Sequence, residues 1–310
     1  MADVVVIGSI NMDLVVKTNR MPLPGETLHG EDLQMIPGGK GANQAAAVAK
    51  LGVDVAMVGR VGNDIFGQKL IEGLSTTGVN TDCVFTELNS ISGTALIIVD
   101  QNGQNSIVVS PGANAKVSQA DILANEWLLS QSKILLLQFE IPIDVVNYAV
   151  EIAVKHNIRV ILNPAPASKI SKGLFSNIDI VIPNEIEASH LTGVKVVDLK
   201  TAETAARVLL DLGVRAVVVT LGDKGALLVS PAEKLYLPAR KVPVIDTTAA
   251  GDAFVGGLAA ALIQGFPLEE SVGYATCAGA IAVTRFGAQT SLPTKEEVDH
   301  LIDKDYISLS

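Results

Sequence analysis

The segment Asp246-Thr247-Thr248-Ala249-Ala250-Gly251-Asp252-Ala253-Phe254 sets two carboxylates around five small or hydroxylated residues. The apolar pattern over 254–262 reads as a helix, so 249–252 forms its first turn. The leading N–H groups of such a turn have no intrahelical acceptor and lie at the positive end of the helix dipole. Small side chains let a highly charged ligand approach that backbone, and Gly251 removes even the Cβ. This is an anion site with a carboxylate, Asp252, planted inside it. A carboxylate repels an anion unless it has a task there. Taking the proton from a hydroxyl that attacks a phosphoryl group is such a task. The alternative is an Asp that only stabilises its helix. That reading suits a lone Asp better than one behind Ala-Ala-Gly with Asp246 six residues upstream.

A second polar segment, Gly38-Gly39-Lys40-Gly41-Ala42-Asn43-Gln44, precedes the helical run 45–51. It has the look of a phosphate loop but fits neither standard type. Gly41 follows Lys40 where Walker A needs Ser or Thr, and Gln44 stands where the dinucleotide fingerprint needs its third Gly. Lys40 and Asn43 can donate to hydroxyl oxygens, and the glycine backbone admits a small polyol. Upstream, Gly8-Ser9-Ile10-Asn11-Met12-Asp13 follows the apolar strand 4–7 and offers an amide and a carboxylate. In isolation it also reads as an Asx-rich turn.

These groups need elements to carry them. Residues 53–60 read as a strand and 64–77 as a helix. Residues 134–138 form a buried strand, followed by a helix over 143–156. Strands are expected at 159–163, 178–183 and 216–221, with helices over 185–191 and 201–212. The alternation implies an α/β fold, a mainly parallel sheet with helices on both faces. Ligands then belong at the carboxyl ends of the strands, where Asn11, Asp13, Glu140, Asn163, Asn184 and Thr220 all fall. One stretch breaks the pattern. Residues 94–109 read as a β-hairpin around Asn102-Gly103. With short strands at 14–18 and 28–36 it makes a small separate sheet, or else extends the main one.

Composition agrees. At 310 residues with 48% hydrophobic and only 4% aromatic content, the core is filled by Val, Ile, Leu and Ala, as in helix-covered parallel sheets. The net charge of −10 argues against nucleic acid or anionic membrane as partners. An anionic nucleotide must therefore be held by local N–H groups and a few cations. Cys83 and Cys277 offer neither a disulfide framework nor metal spacing, which fits a reducing compartment. The four histidines are isolated. The N-terminus enters a strand without a basic leader, and no apolar run reaches transmembrane length. A cytoplasmic protein is expected.

The segments 8–13 and 38–44, Asn163-Pro164-Ala165-Pro166-Ala167, Pro183-Asn184-Glu185-Ile186-Glu187, Thr220-Leu221-Gly222-Asp223-Lys224-Gly225 and 246–252 occur in the order found in the phosphofructokinase-B carbohydrate kinase family. The set resembles the ribokinase branch of that family, from near the N-terminus to Ser291. The resemblance implies one domain over 1–310, a ribokinase-like three-layer α/β sandwich. It adds a small β-sheet lid drawn from about 14–36 and 92–110, through which two subunits pair as a homodimer. It implies ATP-dependent phosphorylation of D-ribose at the 5-hydroxyl, with Asp252 as general base and the N–H groups of Ala249, Ala250, Gly251 and Asp252 as an anion hole. By the same resemblance Asn11, Met12, Asp13, Gly39, Lys40, Gly41, Ala42, Asn43, Glu140 and Asp252 surround the sugar. Asn184, Thr220, Leu221, Gly222, Asp223, Lys224, Gly225, Gly251, Asp252 and Thr276 would bind ATP.

Ions are implied as well. Glu187 of the N-x-x-E motif would act through water on Mg²⁺ held mostly by phosphates, although it reads equally as a solvated acid in a first helical turn. Asp246, Thr248, Ala282, Arg285, Gly287 and Ser291 would form a K⁺ site, mostly through backbone carbonyls. Two positions depart from the family. Thr248 replaces a more usual Ile, and Met12 replaces a small Ala between two expected sugar ligands. Met12 leaves open another acceptor: 2-deoxyribose, fructose or a nucleoside. A non-catalytic sugar- or nucleotide-binding regulator on the same fold is the other alternative, and the retained Asp252 argues against it.

Overall fold

The computed structural model describes residues 2–168 and 172–308. Strands β1 (Val4–Ile7), β2 (Asn11–Lys17) and β3 (Gln34–Gly38) precede helix α1 (Lys40–Lys50). Next come β4 (Val55–Gly62), α2 (Ile65–Thr76), β5 (Asn80–Glu87), β6 (Gly93–Val99) and β7 (Asn105–Ser110). The middle of the chain forms α3 (Gln119–Ala124), α4 (Glu126–Leu129), β8 (Ile134–Leu137), α5 (Ile143–Lys155), β9 (Arg159–Leu162) and β10 (Ile180–Val181). It continues through α6 (Glu185–Thr192), α7 (Leu199–Asp211), β11 (Ala216–Thr220), β12 (Ala226–Val229) and β13 (Lys234–Leu237). Helices α8 (Ala250–Ile263), α9 (Leu268–Ala282) and α10 (Lys295–Ser308) complete the described chain.

The main sheet has nine strands in the order β13-β12-β11-β10-β9-β8-β1-β4-β5. Pairing is parallel from β11 to β5, and β12 and β13 add an antiparallel edge. Because strand side chains alternate between faces, each buried strand feeds two cores. Val4, Val6, Ile134, Leu136 and Val218 pack with α1, α8 and α9. Val5, Ile7, Leu135, Leu137, Val217 and Val219 pack with α5 and α7 on the other face. The result is three layers. The chain leaves β1 toward β4 on one side and returns at β8 on the other, so the winding reverses between β1 and β8. The crevice of such a sheet opens at that point, beyond the carboxyl ends of the strands. Among the described residues, no helix is long and apolar enough to cross a membrane.

The second sheet, β3-β2-β6-β7, is separate from the first. It is mixed: β2 pairs parallel to β6, and the outer pairs are antiparallel. Three boundaries differ from the sequence reading. Strand β2 begins at Asn11, so Asn11 and Asp13 sit on the small sheet and not in a turn after β1. Helix α1 begins at Lys40, which puts Lys40 and Asn43 in its first turn. Strand β3 lies at Gln34–Gly38 and leaves most of the expected 28–36 outside the sheet. Strands β5, β12 and β13 were not expected. The pattern of β5 is mostly polar, because it forms one edge of the sheet.

Small residues set the spacing of α1, α8 and α9. A Cβ on Gly256 would lie 2.5 Å from the Ala47 Cβ, and one on Gly257 would lie 3.0 Å from the Ala278 Cβ. Gly256→Ala should therefore destabilise the fold by about 1–3 kcal/mol through overpacking, despite the gain in helix propensity. Gly73 in α2 meets nothing within 4 Å, so Gly73→Ala should be stabilising by about 0.5–1 kcal/mol. Denaturant midpoints of the two variants should move in opposite directions; equal shifts would remove the close helix crossing as a constraint.

Candidate active site

A cavity of about 750 Å³ opens between the small sheet and the carboxyl ends of β1 and β8. One face of the small sheet lines it. The register Asp13↔Ile36, Asp13↔Ala95 and Ala95↔Val109 puts Asn11, Asp13, Ile36, Ala95 and Val109 on one side. Facing them are Gly39, Lys40, Asn43, Glu140 and Asp252, with Asp246 to Ala249 and Phe286 to Ala288 at one end.

The glycines of the 38–44 segment are required by contact. Gly39, the residue before α1, has φ of 90°, and a Cβ there would stand 2.7 Å from the Asn11 backbone nitrogen. A Cβ on Gly41 would stand 2.7 Å from the Ser9 nitrogen, and one on Gly38 would collide with the Asp13 carboxylate. The start of α1 is thus pressed against β1 and β2. Pressed there, the Lys40 N–H donates to Glu140 Oε2 at 3.1 Å, and the Ser9 hydroxyl donates to the same oxygen. Asn11 is held by buried Asn114, whose Nδ2 donates to Asn11 Oδ1 at 2.7 Å and whose Oδ1 accepts the Ile10 N–H at 2.9 Å.

Asp252 is buried in the first turn of α8. Its Oδ2 accepts from Asn43 Nδ2 at 2.9 Å, and its Oδ1 accepts from Gln44 Nε2 at 3.0 Å. Burial pushes its carboxyl above the usual range, opposed by the charge of Lys40 and by these two amide donors. Asn43 Oδ1 is buried and has no hydrogen-bond partner among the described residues. Asn43 therefore presents an acceptor where a donor was expected. Lys40 is pulled down by burial, but Asp252, Glu140 and Glu187 together hold it above its ordinary value. Asp13 is pushed up to about 7 by burial, with the charges of Glu140 and Asp252 adding to the effect.

Ala249 precedes α8 with φ 58° and ψ 9°, a left-handed conformation that is strained for a residue with a Cβ. The turn it makes leaves the Gly251 and Asp252 N–H groups without acceptors among the described residues. The Ala250 N–H leans back to the Thr247 carbonyl at 3.3 Å. Asp246 fixes the approach to this turn. Its Oδ1 accepts from the Thr248 N–H at 2.9 Å and hydroxyl at 2.6 Å, and its Oδ2 accepts from the Gly287 N–H at 3.0 Å. Ala282, Arg285 and Ser291 belong to the same end of α9 and the loop after it. The Arg285 guanidinium pairs with Glu297, and the Ser291 hydroxyl donates to the Ala288 carbonyl at 2.8 Å.

Three expected sugar contacts do not reach the cavity with their side chains. Met12 lies on the opposite face of β2 from Asn11 and Asp13 and is buried in the core. Gly41 and Ala42 pack against Gly8 and Ser9 beneath the site. The residues expected to hold a nucleotide lie beside the cavity. Asn184 bridges to Thr220 across the ends of β10 and β11, and Gly222 and Gly225 bound the 3-10 turn Gly222–Lys224. The Leu221 N–H donates to the Gly225 carbonyl, and Lys224 pairs with Glu185 at 3.6 Å, next to Asp223. Thr276 is buried in α9 with its hydroxyl on the Val272 carbonyl. Glu187 and Asn184 form a capping box that engages both Glu187 oxygens. Burial raises the Glu187 carboxyl, against the Asn184 N–H and Lys40. Among the described residues, no group of three His, Cys, Asp or Glu is placed to hold a metal ion.

A family model described as pfkB family carbohydrate kinase matches residues 1–295. The chain is 42% identical over 292 residues to a ribokinase of Haemophilus influenzae, covering 94% of this chain and 95% of that protein. It is 39% identical over 309 residues to a deoxyribokinase of Salmonella typhi, covering 99% of each. A solved ribokinase from Thermotoga maritima matches with a TM-score of 0.89 at 42% identity, over 98% of this chain and 100% of that one. An Arabidopsis thaliana ribokinase complexed with ribose and ATP matches with a TM-score of 0.89 at 36% identity, over 97% and 98%.

The raised Asp13 carboxyl has a consequence for stability. An unfolded Asp titrates near ~4, so between that pH and about 7 the folded protein keeps a proton that the unfolded chain has lost. Stability must fall as pH rises through this window. Asp13→Asn should raise the urea midpoint of the unliganded protein at pH 8, and the advantage should shrink toward pH 4.5. Midpoints that track wild type at every pH would mean that Asp13 titrates like an exposed carboxylate.

Proposed function

This chain belongs to the pfkB family of carbohydrate kinases, and on that footing we propose that it transfers the γ-phosphoryl group of ATP to the 5-hydroxyl of D-ribose. The observation that carries the reading is the position of Asp252. Its carboxylate stands where a wall of sugar-binding polar groups meets the unpartnered N–H groups of α8. Asp13 and Glu140 accept from ring hydroxyls, Lys40 donates, and the orphan oxygen of Asn43 accepts. The 5-hydroxyl then faces Asp252, which takes its proton as the oxygen attacks. Phosphoryl transfer passes through a loose transition state, so positioning outweighs basicity. The Gly251 and Asp252 N–H groups, with Ala249 and Ala250 beside them, stabilise the charge on the transferring group. The nucleotide lies along the ends of β10 and β11, by Asn184, Thr220 and Gly222 to Gly225, with Thr276 behind.

Mg²⁺ would neutralise the phosphate charge, held by phosphates and water, with Glu187 in the outer shell. Asp246 and the carbonyls of the loop after α9 suit a large, weakly hydrated cation, and K⁺ there would brace the turn that presents the anion hole. The outer face of the small sheet, with half-exposed Leu96, Met35 and Val108, supports pairing of two lids as a homodimer. The cysteine usage supports a cytoplasmic setting. A second acceptor, 2-deoxyribose, is favoured by the likeness to the Salmonella typhi deoxyribokinase.

A coupled assay with ATP, Mg²⁺ and a sugar panel tests the assignment. Ribose should exceed 2-deoxyribose in kcat/KM by roughly 5- to 150-fold, the effect of one lost hydrogen bond of about 1–3 kcal/mol. The reverse order would assign the chain to deoxyribose. Asp252→Asn should bind ribose yet turn over roughly two to four orders of magnitude more slowly, and near-wild-type turnover would take Asp252 out of the chemistry. Replacing Na⁺ with K⁺ at constant ionic strength should raise the rate, and Asp246→Ala should abolish that response. Equal rates in both salts would sink the cation site alone.

A further inference from the structure

Behind Asp252, away from the cavity, runs a chain of amides whose two buried glutamines have no role in the sequence reading or the proposed reaction. Gln44 Nε2 donates to Asp252 Oδ1 at 3.0 Å and to Asn163 Oδ1 at 3.1 Å. Gln44 Oε1 accepts from Gln138 Nε2 at 2.6 Å. Asn163 Nδ2 in turn donates to the Ile182 carbonyl at 2.9 Å. Gln44 and Gln138 are fully buried.

With Asp252 ionised, the polarity of this chain is fixed however the amides are drawn. An ionised carboxylate only accepts. Gln44 must therefore turn its NH₂ toward Asp252, which leaves its oxygen facing Gln138. Gln138 must then present its NH₂ as well, and its own Oε1 has no partner among the described residues. A buried carbonyl left unpaired is unfavourable. Gln138 accepts that penalty in the orientation that keeps a donor on Gln44. The order is imposed from the Asp252 end.

We propose that Gln44 and Gln138 are positioning residues, a one-way amide relay that holds Asp252 ionised and aimed at the cavity against its burial. The inference rests on the kinase reading for its purpose, though not for its geometry. Asn43 grips the other carboxylate oxygen, so the two amides together fix the plane of the base. The charged groups around Asp252 are Lys40 from α1, Glu140 after β8, Asp13 on β2 and Glu187 on α6. None is altered by substituting Gln44 or Gln138, so such variants isolate the relay.

The test is a titration of the Asp252 carboxyl by NMR in protein labelled with ¹³Cγ-aspartate, its resonance assigned by its loss in Asp252→Asn. Gln44→Met should raise the Asp252 pKa by on the order of one unit and move the acid limb of kcat upward by the same amount, with ribose KM little changed. Gln138→Met should have a smaller effect, because Asp252 alone still orients Gln44. Gln138→Glu is the sharp case. Its protonated carboxyl can still donate to Gln44; once ionised it only accepts and turns the Gln44 oxygen onto Asp252. That variant should work at acid pH and lose turnover on a new alkaline limb. An unchanged Asp252 titration in Gln44→Met, with only the melting temperature lowered, overturns the relay. If Gln138→Glu does not fold, the two methionine variants decide. If the wild-type protein phosphorylates no sugar, the kinase reading fails and the titration still settles the relay.

Discussion

The structure depends on a close crossing between α1 and α8. Gly256 admits the Ala47 methyl, and the two helices approach nearly to backbone contact. Only at that distance do Asn43 and Gln44, from the first turn of α1, reach both oxygens of Asp252 in the first turn of α8. The two N-termini are thereby fused into one site. One end offers a carboxylate and free N–H groups, and the other offers a lysine and an acceptor amide. Glycine in mid-helix is unfavourable by about 1 kcal/mol relative to alanine, but a bulkier residue would draw Asn43 and Gln44 away from the Asp252 carboxylate.

Charge at this junction follows an unusual balance. Asp252, Glu140 and Glu187 act on one buried ammonium, Lys40, and Asp13 adds a further carboxyl beside Glu140 and Asp252. Within the cavity three carboxyl groups, Asp13, Glu140 and Asp252, face one lysine, which makes it short of donors and rich in acceptors. A neutral polyol suits such a pocket, because each of its hydroxyls can donate to a carboxylate. An anion does not, and the donors open to one lie on the α8 backbone. The net charge of −10 makes the same point for the whole molecule. The free N–H groups that could meet an anion lie at a strained turn, where Ala249 takes the left-handed conformation.

Much of this was legible in the sequence. The helix after Asp252, the βα alternation, the hairpin at Asn102-Gly103 and the polar strand ends follow from period and turn chemistry, which act locally. What was not legible depends on the face a residue occupies. Met12 was expected among the sugar contacts between Asn11 and Asp13, which line the cavity; strand alternation sends it into the core instead. Gln44 looked only like a departure from a glycine motif, and Gln138 like the end of an apolar strand. Nothing within a few residues of either signals a shared hydrogen bond, since 94 positions separate them. Asn114 is hidden for the same reason, 103 positions from Asn11. Asn43 was legible as a polar group, but the direction of its amide was set by a carboxylate 209 residues away.

Helix α1 also reaches the far end of the site. At its C-terminus the Lys50 ammonium donates to the carbonyls of Gln289 at 2.8 Å and Leu292 at 3.1 Å. Burial, with Arg285 nearby, lowers its affinity for a proton, yet Glu297 and two carbonyls keep a cation the better occupant. Those carbonyls belong to the loop whose Gly287 N–H grips Asp246, and Asp246 in turn shapes the start of α8. The small sheet touches the same loop, where Lys17 lies 5.0 Å over the Phe286 ring. A displacement of α1 along its axis would therefore disturb the cavity groups at its start, the amides that hold Asp252 and the Asp246 loop at its end. Its three attachments are made by different kinds of contact, namely packed glycines, amides on a carboxylate and an ammonium on carbonyls. The helix is held at its first turn and at its last, so the fold itself fixes the groups it carries.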